Sequence, residues 1–253
     1  MPLRVMSYNI HRAIGVDRRF RPERIARIIE HHQPDILLLQ EVDVGVPRSR
    51  NLDLAEEFAG LCGYAHRALG LNVALTQGHY GNATLSRFPI TSQRNIDLTL
   101  PGHKARGCLY TRIEVASPEE GGAVSLAVFN LHLGLSFHER PQQVGMVVKS
   151  PEFVELPPGA PCIVAGDFND WFTRLAPMFT EIMGFRCASS HKENFQSPYL
   201  TYPSFSPTGG LDKIFVRGPL TILKRQRCRM QISKIASDHL PVLADLELEE
   251  STP

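Results

Sequence analysis

Residues 161–170 read PCIVAGDFND. A short apolar run, Pro161–Ala165, leads directly into Asp167, Asn169 and Asp170. A run of this length and character predicts a strand covered on both faces. Ionised carboxylates are rarely buried without a partner. Polar groups at the mouth of a buried strand therefore either cap the next helix or hold a cation or a proton. Asp170 is expected as the cap that finishes the turn.

The same arrangement recurs on either side. Strands are predicted at Leu3–Ile10, Asp35–Gln40, Ala83–Ser86, Cys108–Val115, Ala123–His132, Pro161–Ala165, Leu211–Val216, near Leu220–Arg229 and at Pro241–Leu248. Between them Pro22–His32 reads as a helix, with Ile25, Ile28 and Ile29 on one face, Pro22 in its first turn and Pro34 after its end. Leu54, Phe58 and Leu61 mark a second helix closed by Gly63. Ser136–Lys149 marks a third, with Pro141 acceptable only close to its start. Ser189–Gly210, rich in Ser, Pro and Gly, is expected as a long loop facing substrate. Strands and helices alternate from end to end with no linker, which predicts one α/β domain over residues 1–253.

Composition narrows the function. The chain has 253 residues, 27 Lys and Arg against 26 Asp and Glu, and a net charge of +1. A protein that grips duplex nucleic acid through many phosphates is usually far more basic. The stretch Lys224–Arg229 (KRQRCR) is the one local exception, and a sheet with one solvated face also explains it. The five cysteines are scattered and lack a CxxC pair, as expected of reduced thiols in a cytoplasmic protein. There is no secretory signal pattern and no apolar run long enough to span a bilayer, so no stable membrane insertion is expected.

The ends of the strand-like runs carry the chemistry. Asn9 and His11 follow the first run; Glu41 and Asp43 follow DILLLQ; Asn130 and His132 close SLAVFNLH; Asp212 opens DKIFV; Asp238 and His239 precede the last strand. Strand ends are where ligands and catalytic groups sit in α/β sheets. Carboxylate and carboxamide oxygens are hard ligands suited to Mg²⁺ or Mn²⁺. A divalent ion would offset their repulsion and polarise a phosphoryl oxygen. A His beside an Asp can stabilise a phosphate oxygen or move a proton. Zinc spacings, an HExxH motif, a phosphate-binding GxxxxGK[ST] loop and a GxSxG elbow are all absent from the sequence.

Seven motifs stand in order: SYNIH (7–11), LLQEVD (38–43), YGNATLSRFPI (80–90), NLHLG (130–134), GDFND (166–170), LDKIFV (211–216) and SDHLPV (237–242). Together they resemble the endonuclease/exonuclease/phosphatase superfamily, with its deoxyribonuclease-I-like fold. EVDxGxxRSxxxD (41–53) resembles its small bacterial stand-alone members. The resemblance implies a four-layer α/β sandwich, two mixed β-sheets packed face to face and flanked by helices. It implies a Mg²⁺- or Mn²⁺-dependent hydrolase cleaving a phosphodiester by direct attack of water. Glu41 resembles the principal metal ligand, with Asn9 beside it and Asp238 as a metal-site or supporting carboxylate. Asp167 resembles the residue that positions or deprotonates water, and Asn169 a transition-state donor. His239 resembles the histidine on the scissile phosphate, oriented by Asp212. His132 matches the phosphate-contacting histidine of an NxH motif. Either Asp167 or His239 can be the base. Arg48, Asn82 and Arg106 lie in motifs that imply contact with substrate. The rival readings are a nuclease on DNA or RNA, a phosphatase acting on a lipid headgroup or small molecule, and a catalytically silent binding protein on the same scaffold.

Overall fold

In the computed structural model, which describes residues 2–116, 122–191 and 197–249, the first strand, β1, spans Leu3–Asn9. Helix α1 (Pro22–His32) begins on its proline and ends on Gln33 in the left-handed conformation. Its buried residues, Ile25, Ile28 and Ile29 among them, are the face anticipated from spacing. Strand β2 is Ile36–Val44. Helix α2 (Leu54–Cys62) is capped by Asp53, which accepts from the backbone N–H of Ala55 and Glu56, and closes on Gly63 at φ +71°. There follow β3 (His66–Ala74), β4 (His79–Ser86), β5 (Ile90–Asp97), β6 (Gly107–Ala116) and β7 (Ala123–His132). Helices α3 (Glu139–Val148) and α4 (Pro151–Val154) lead to β8 (Cys162–Asp167). A π-helical turn at Met178–Ile182 precedes β9 (Arg186–Cys187), β10 (Asp212–Arg217), β11 (Leu220–Arg227), α5 (Ser233–Ala236) and β12 (Val242–Leu248).

The strands form two six-stranded mixed sheets, ordered β11-β12-β1-β2-β4-β3 and β5-β6-β7-β8-β10-β9. Alternation along each buried strand explains why both pack on two sides. In β2, Ile36 and Leu38 meet Val128, Ile163, Ala165 and Ile214 between the sheets. Leu37 and Leu39 turn outward to Ile25, Ile28 and Phe58 on the helices. In β8, Ile163 and Ala165 face inward, while Cys162 and Val164 join Val144 and Val147 on the opposite face. The result is the expected four-layer sandwich of the deoxyribonuclease-I type.

A polar seam crosses this apolar interior. Asn130 on β7 donates to the carbonyls of Leu39 and Ala83 on the other sheet, at 3.1 and 2.9 Å. Its side-chain oxygen accepts from Gln40 at 2.7 Å. Asn82 on β4 reaches back to the carbonyls of Gly107 and Asn130, at 3.1 and 3.2 Å. All three amides are buried. These bonds fix how one sheet lies on the other at the end where the polar strand termini gather.

Several elements differ from the sequence reading. Strands β3, β5 and β9 were not anticipated. β5 is an edge strand with the mostly exposed sequence ITSQRNID, so it lacks the apolar pattern that marks a covered strand. Helix α3 starts at Glu139, so Pro141 falls in its first turn, where no helical N–H is lost. At the end of α1, His32 has a buried Nε2 with no hydrogen-bond partner. Burial pushes its imidazole down to about 4. KRQRCR falls largely on the outer strand β11, where charge protects an open edge. Ser189–Gly210 is a loop wherever it is described, and residues 192–196 of it lie outside the described residues. Among the described residues, no helix is long and apolar enough to cross a membrane.

Asn130→Leu should destabilise the protein by about 2–4 kcal/mol, because it removes the amide donor to two buried carbonyls and the shortest acceptor of the Gln40 amide. Urea denaturation followed by fluorescence measures this. A loss below about 0.5 kcal/mol would show that the seam does not hold the sheets.

Candidate active site

The strand register assembles the site. Parallel pairing sets Asn9 opposite Gln40 and His132 opposite Asp167. Antiparallel pairing sets Asp212 opposite Asp167. The ends of β1, β2, β7 and β8 and the start of β10 thus meet at one end of the sandwich, and His239 arrives just before β12.

Asp167 is the hub. Its Oδ2 accepts from Asn9 Nδ2 at 3.1 Å and lies 3.5 Å from His132 Nε2 and 3.7 Å from His239 Nε2. Its Oδ1 accepts from the backbone N–H of Asn169 at 2.9 Å. His239 Nδ1 lies 2.8 Å from Asp212 Oδ2. All six residues are at least nine-tenths buried. Gly166 permits this crowding: a Cβ there would collide with the Leu131 carbonyl, and its φ is +143°.

Two polar site residues adopt backbone conformations that non-glycine residues rarely use. Glu41 has φ +60° at a bulge in β2, between Leu39 and Val42. The bulge turns Glu41 out of strand alternation. Asn169 has φ +50°, and its Nδ2 is held by the Leu133 carbonyl at 2.9 Å. Asp170 caps as expected, accepting from the N–H of Arg174 and Leu175 at 3.1 and 2.9 Å. The segment it closes is an irregular turn, however, with no α-helix following directly. Lys213 Nζ ties this turn to the next loop, donating to the carbonyls of Asp170 and Gly210 at 3.1 and 2.7 Å.

The electrostatics separate the two histidines. Burial works against charge on His239, but the carboxylates of Asp212 and Asp167 outweigh it and push the imidazole up to about 10. Burial, reinforced by Arg106, pushes His132 down to about 3 against the pull of Asp167. The surroundings thus pull the two rings apart, His239 toward the cation and His132 toward the neutral form.

The donor set fits a hard divalent cation. Asp167, Asp212 and His239 offer ligand atoms within 4.8 Å of one another. Oδ1 of Asp212 and Oε2 of Glu41 are buried with no hydrogen-bond partner, the latter with Arg12 Nε at 3.7 Å. Glu41 and Asp238 stand outside the three-residue group, and Asn9 touches it through Asp167. Asp238 is part-exposed, 3.9 Å from His11 Nδ1.

The three expected substrate contacts fare differently. Arg48 makes a bidentate pair with buried Asp43, at 2.8 and 2.7 Å, and lies over the Tyr80 ring. Arg106 is buried beside His132 with its Nε unpartnered, as a guanidinium awaiting an anion would be. Asn82 donates its amide nitrogen to carbonyls of the other sheet. Other neighbours were not anticipated. Ser237 Oγ donates to the Asn9 carbonyl at 2.7 Å and accepts from His239 N–H at 3.2 Å. The Tyr202 ring lies 4.9 Å from His239. Ser237 stood inside the SDHLPV motif and was there to be found. Tyr202 stood in a loop with no pattern to mark it.

A sandwich of two mixed sheets with buried carboxylates, amides and histidines at one end defines a phosphoesterase scaffold of the deoxyribonuclease-I type. The sequence model of the endonuclease/exonuclease/phosphatase family matches residues 6–239, and the chain belongs to that family, whose members are phosphoesterases. The uncharacterized protein YbhP of Escherichia coli is 31% identical, over 97% of this chain and 96% of its own. An endonuclease/exonuclease/phosphatase of Beutenbergia cavernae superposes with a TM-score of 0.78 at 22% identity, covering 99% of this chain and 72% of that one. A mannosyl-6-phosphatase of Bacteroides thetaiotaomicron does so with 0.73 at 19%, covering 97% and 99%.

Asp212→Asn should lower the His239 pKa markedly in metal-free protein, as read by NMR titration of its ring protons. The sign for stability follows. A base whose folded pKa is raised to about 10 contributes stability that is fully present below its unfolded value, near 6.5, and lost as pH rises through about 10. The Asp212→Asn protein should therefore show a flatter fall of stability over that window. An unchanged His239 titration would remove Asp212 from this role.

Proposed function

We propose that the protein is a divalent-metal-dependent hydrolase that cleaves a phosphodiester by direct attack of water, acting on its own as a single domain and in the reducing cytoplasm. The observation that carries the reading is the buried junction of Asp167 with Asn9, His132 and His239 at the mouth of the sandwich. A structural role alone does not call for a carboxylate held among so many donors at a strand end. Family membership narrows the bond attacked to a phosphate ester. The free cysteines suit the compartment.

Mg²⁺ or Mn²⁺, held by Glu41, Asn9 and Asp238 or shared with Asp167 and Asp212, would neutralise charge developing on the phosphoryl oxygens. The protein's own groups divide the remaining roles. Asp167 accepts the proton of the attacking water, as the buried carboxylate at the centre of the junction. His239, between two carboxylates, is held as a donor to a phosphate oxygen. Asp212 fixes its ring through Nδ1. Asn169 and His132 donate to the remaining oxygens, and Arg106 and Arg48 anchor the phosphate from the side. No covalent enzyme intermediate forms, so water enters in line with the leaving oxygen.

Hydrolysis of a chromogenic phosphodiester and its matching monoester should require Mg²⁺ or Mn²⁺ and cease with chelator. Asp167→Asn and His239→Ala should each reduce kcat by about two to four orders of magnitude while leaving the circular dichroism spectrum unchanged. The diester should be the better substrate. Wild-type turnover in either variant would sink the site assignment. Binding without turnover, on every ester and metal tried, would favour a silent binding protein.

A further inference from the structure

Six of the fourteen exposed large apolar residues among those described lie on three loops at the active-site end of the second sheet. Leu135 and Phe137 follow β7; Trp171 and Phe172 follow β8; Leu200 and Phe205 precede β10. Leu135, Phe172 and Phe205 are 74, 76 and 63% exposed. Scattered singly, such residues need no explanation, but a cluster marks a contact surface. This one is continuous with the catalytic junction. The Tyr202 ring lies 4.9 Å from His239 and 5.5 Å from Trp171. Arg174 lies over Phe137 at 4.7 Å and over Phe172 at 5.7 Å.

The charge around these side chains is one-sided. Segments 98–106, 133–138, 171–175 and 199–210 contain no Asp or Glu, although the chain has 26 of them. Their part-exposed or exposed cations are Lys104 and Arg174. A groove of about 350 Å³ beside Phe205 is lined by Arg227, Arg229 and Lys234. Exposed Trp, Phe and Leu interleaved with Lys and Arg, on segments that carry no Asp or Glu of their own, form the combination that seats a protein at an anionic bilayer. The apolar groups enter the headgroup boundary and the cations meet lipid phosphates. Single-stranded nucleic acid also likes aromatics and cations. Here, however, the Arg174 guanidinium lies over Phe137 and Phe172, where a base would stack, and Leu135 and Leu200 offer no ring at all.

We propose that these loops are a membrane-docking rim, which sets the catalytic junction against an anionic phospholipid surface and makes a lipid-borne phosphodiester the substrate class. Only the naming of the substrate rests on the hydrolase reading; the docking does not.

The test uses the full-length protein with chelator present, so that binding is read without turnover. Trp171 is the sole tryptophan and reports from within the rim. With vesicles of phosphatidylcholine and phosphatidylglycerol, its emission should shift to the blue and the protein should co-sediment. Phosphatidylcholine alone should bind much less. The double variant Leu135→Asp/Phe172→Asp should lower the bound fraction about tenfold or more. Its hydrolysis of a soluble chromogenic diester should match wild type. Phe205→Asp, on a separate loop, should weaken binding in the same direction and guards against a local folding defect. Three results would each overturn the proposal: no shift and no co-sedimentation at millimolar lipid, equal binding by the double variant, or variant-sensitive binding of a single-stranded oligonucleotide in place of vesicles. Vesicle binding in a protein that hydrolyses no ester would leave the rim standing and remove the hydrolase reading instead.

Discussion

The inter-sheet amides are the constraint on which the site depends. Apolar faces attract without direction, so two sheets held only by Ile, Leu and Val contacts have no strong reason to stop sliding at one place. Asn130, Gln40 and Asn82 supply that reason, because their bonds form in one alignment only. Asn9 and Asp167 belong to different sheets, and their 3.1 Å contact exists because of that alignment. The seam lies in the layer beneath the junction, so the rigidity of the sandwich interior is transmitted to the polar groups gathered there.

Such a site runs against ordinary folding preferences. It gathers buried carboxylates around a junction, sets Glu41 and Asn169 at positive φ, and leaves oxygens of Glu41 and Asp212 without partners. Each of these is unfavourable taken alone. The surrounding core of fully buried aliphatic and aromatic side chains offsets them. Departures from the rules that govern the rest of the chain concentrate where phosphate chemistry is expected, as they do at functional sites generally.

Most of the layered fold was legible in the sequence, because buried strands announce themselves as uninterrupted apolar runs. DILLLQ and CIVAG read correctly for that reason. The edge strands β3 and β5 did not, since a strand with one open side need not be apolar. At the site, Asp167, Asn169, Asp212 and His239 were visible as polar groups terminating such runs, and pairing register brought them together. The bonds Asn82 makes across the sheets were not legible, because an amide that stitches two sheets and an amide that touches substrate look alike in a motif. Tyr202 and Arg12 were invisible, since what places them beside His239 and Glu41 is the meeting of loops far apart in sequence.

The pairing of β1 with β12, Leu3 opposite Leu246, has a consequence in time. A growing chain holds Asn9, Glu41 and Asp167 well before residue 239 emerges. Strand β1 must wait for β12 before it has neighbours on both sides. Strands β1 and β12 thus act as a clasp beside the junction, one laid down before its polar residues are complete and the other after. A chain ending before His239 would lack both that imidazole and the strand that covers β1, so the junction and its support are completed together.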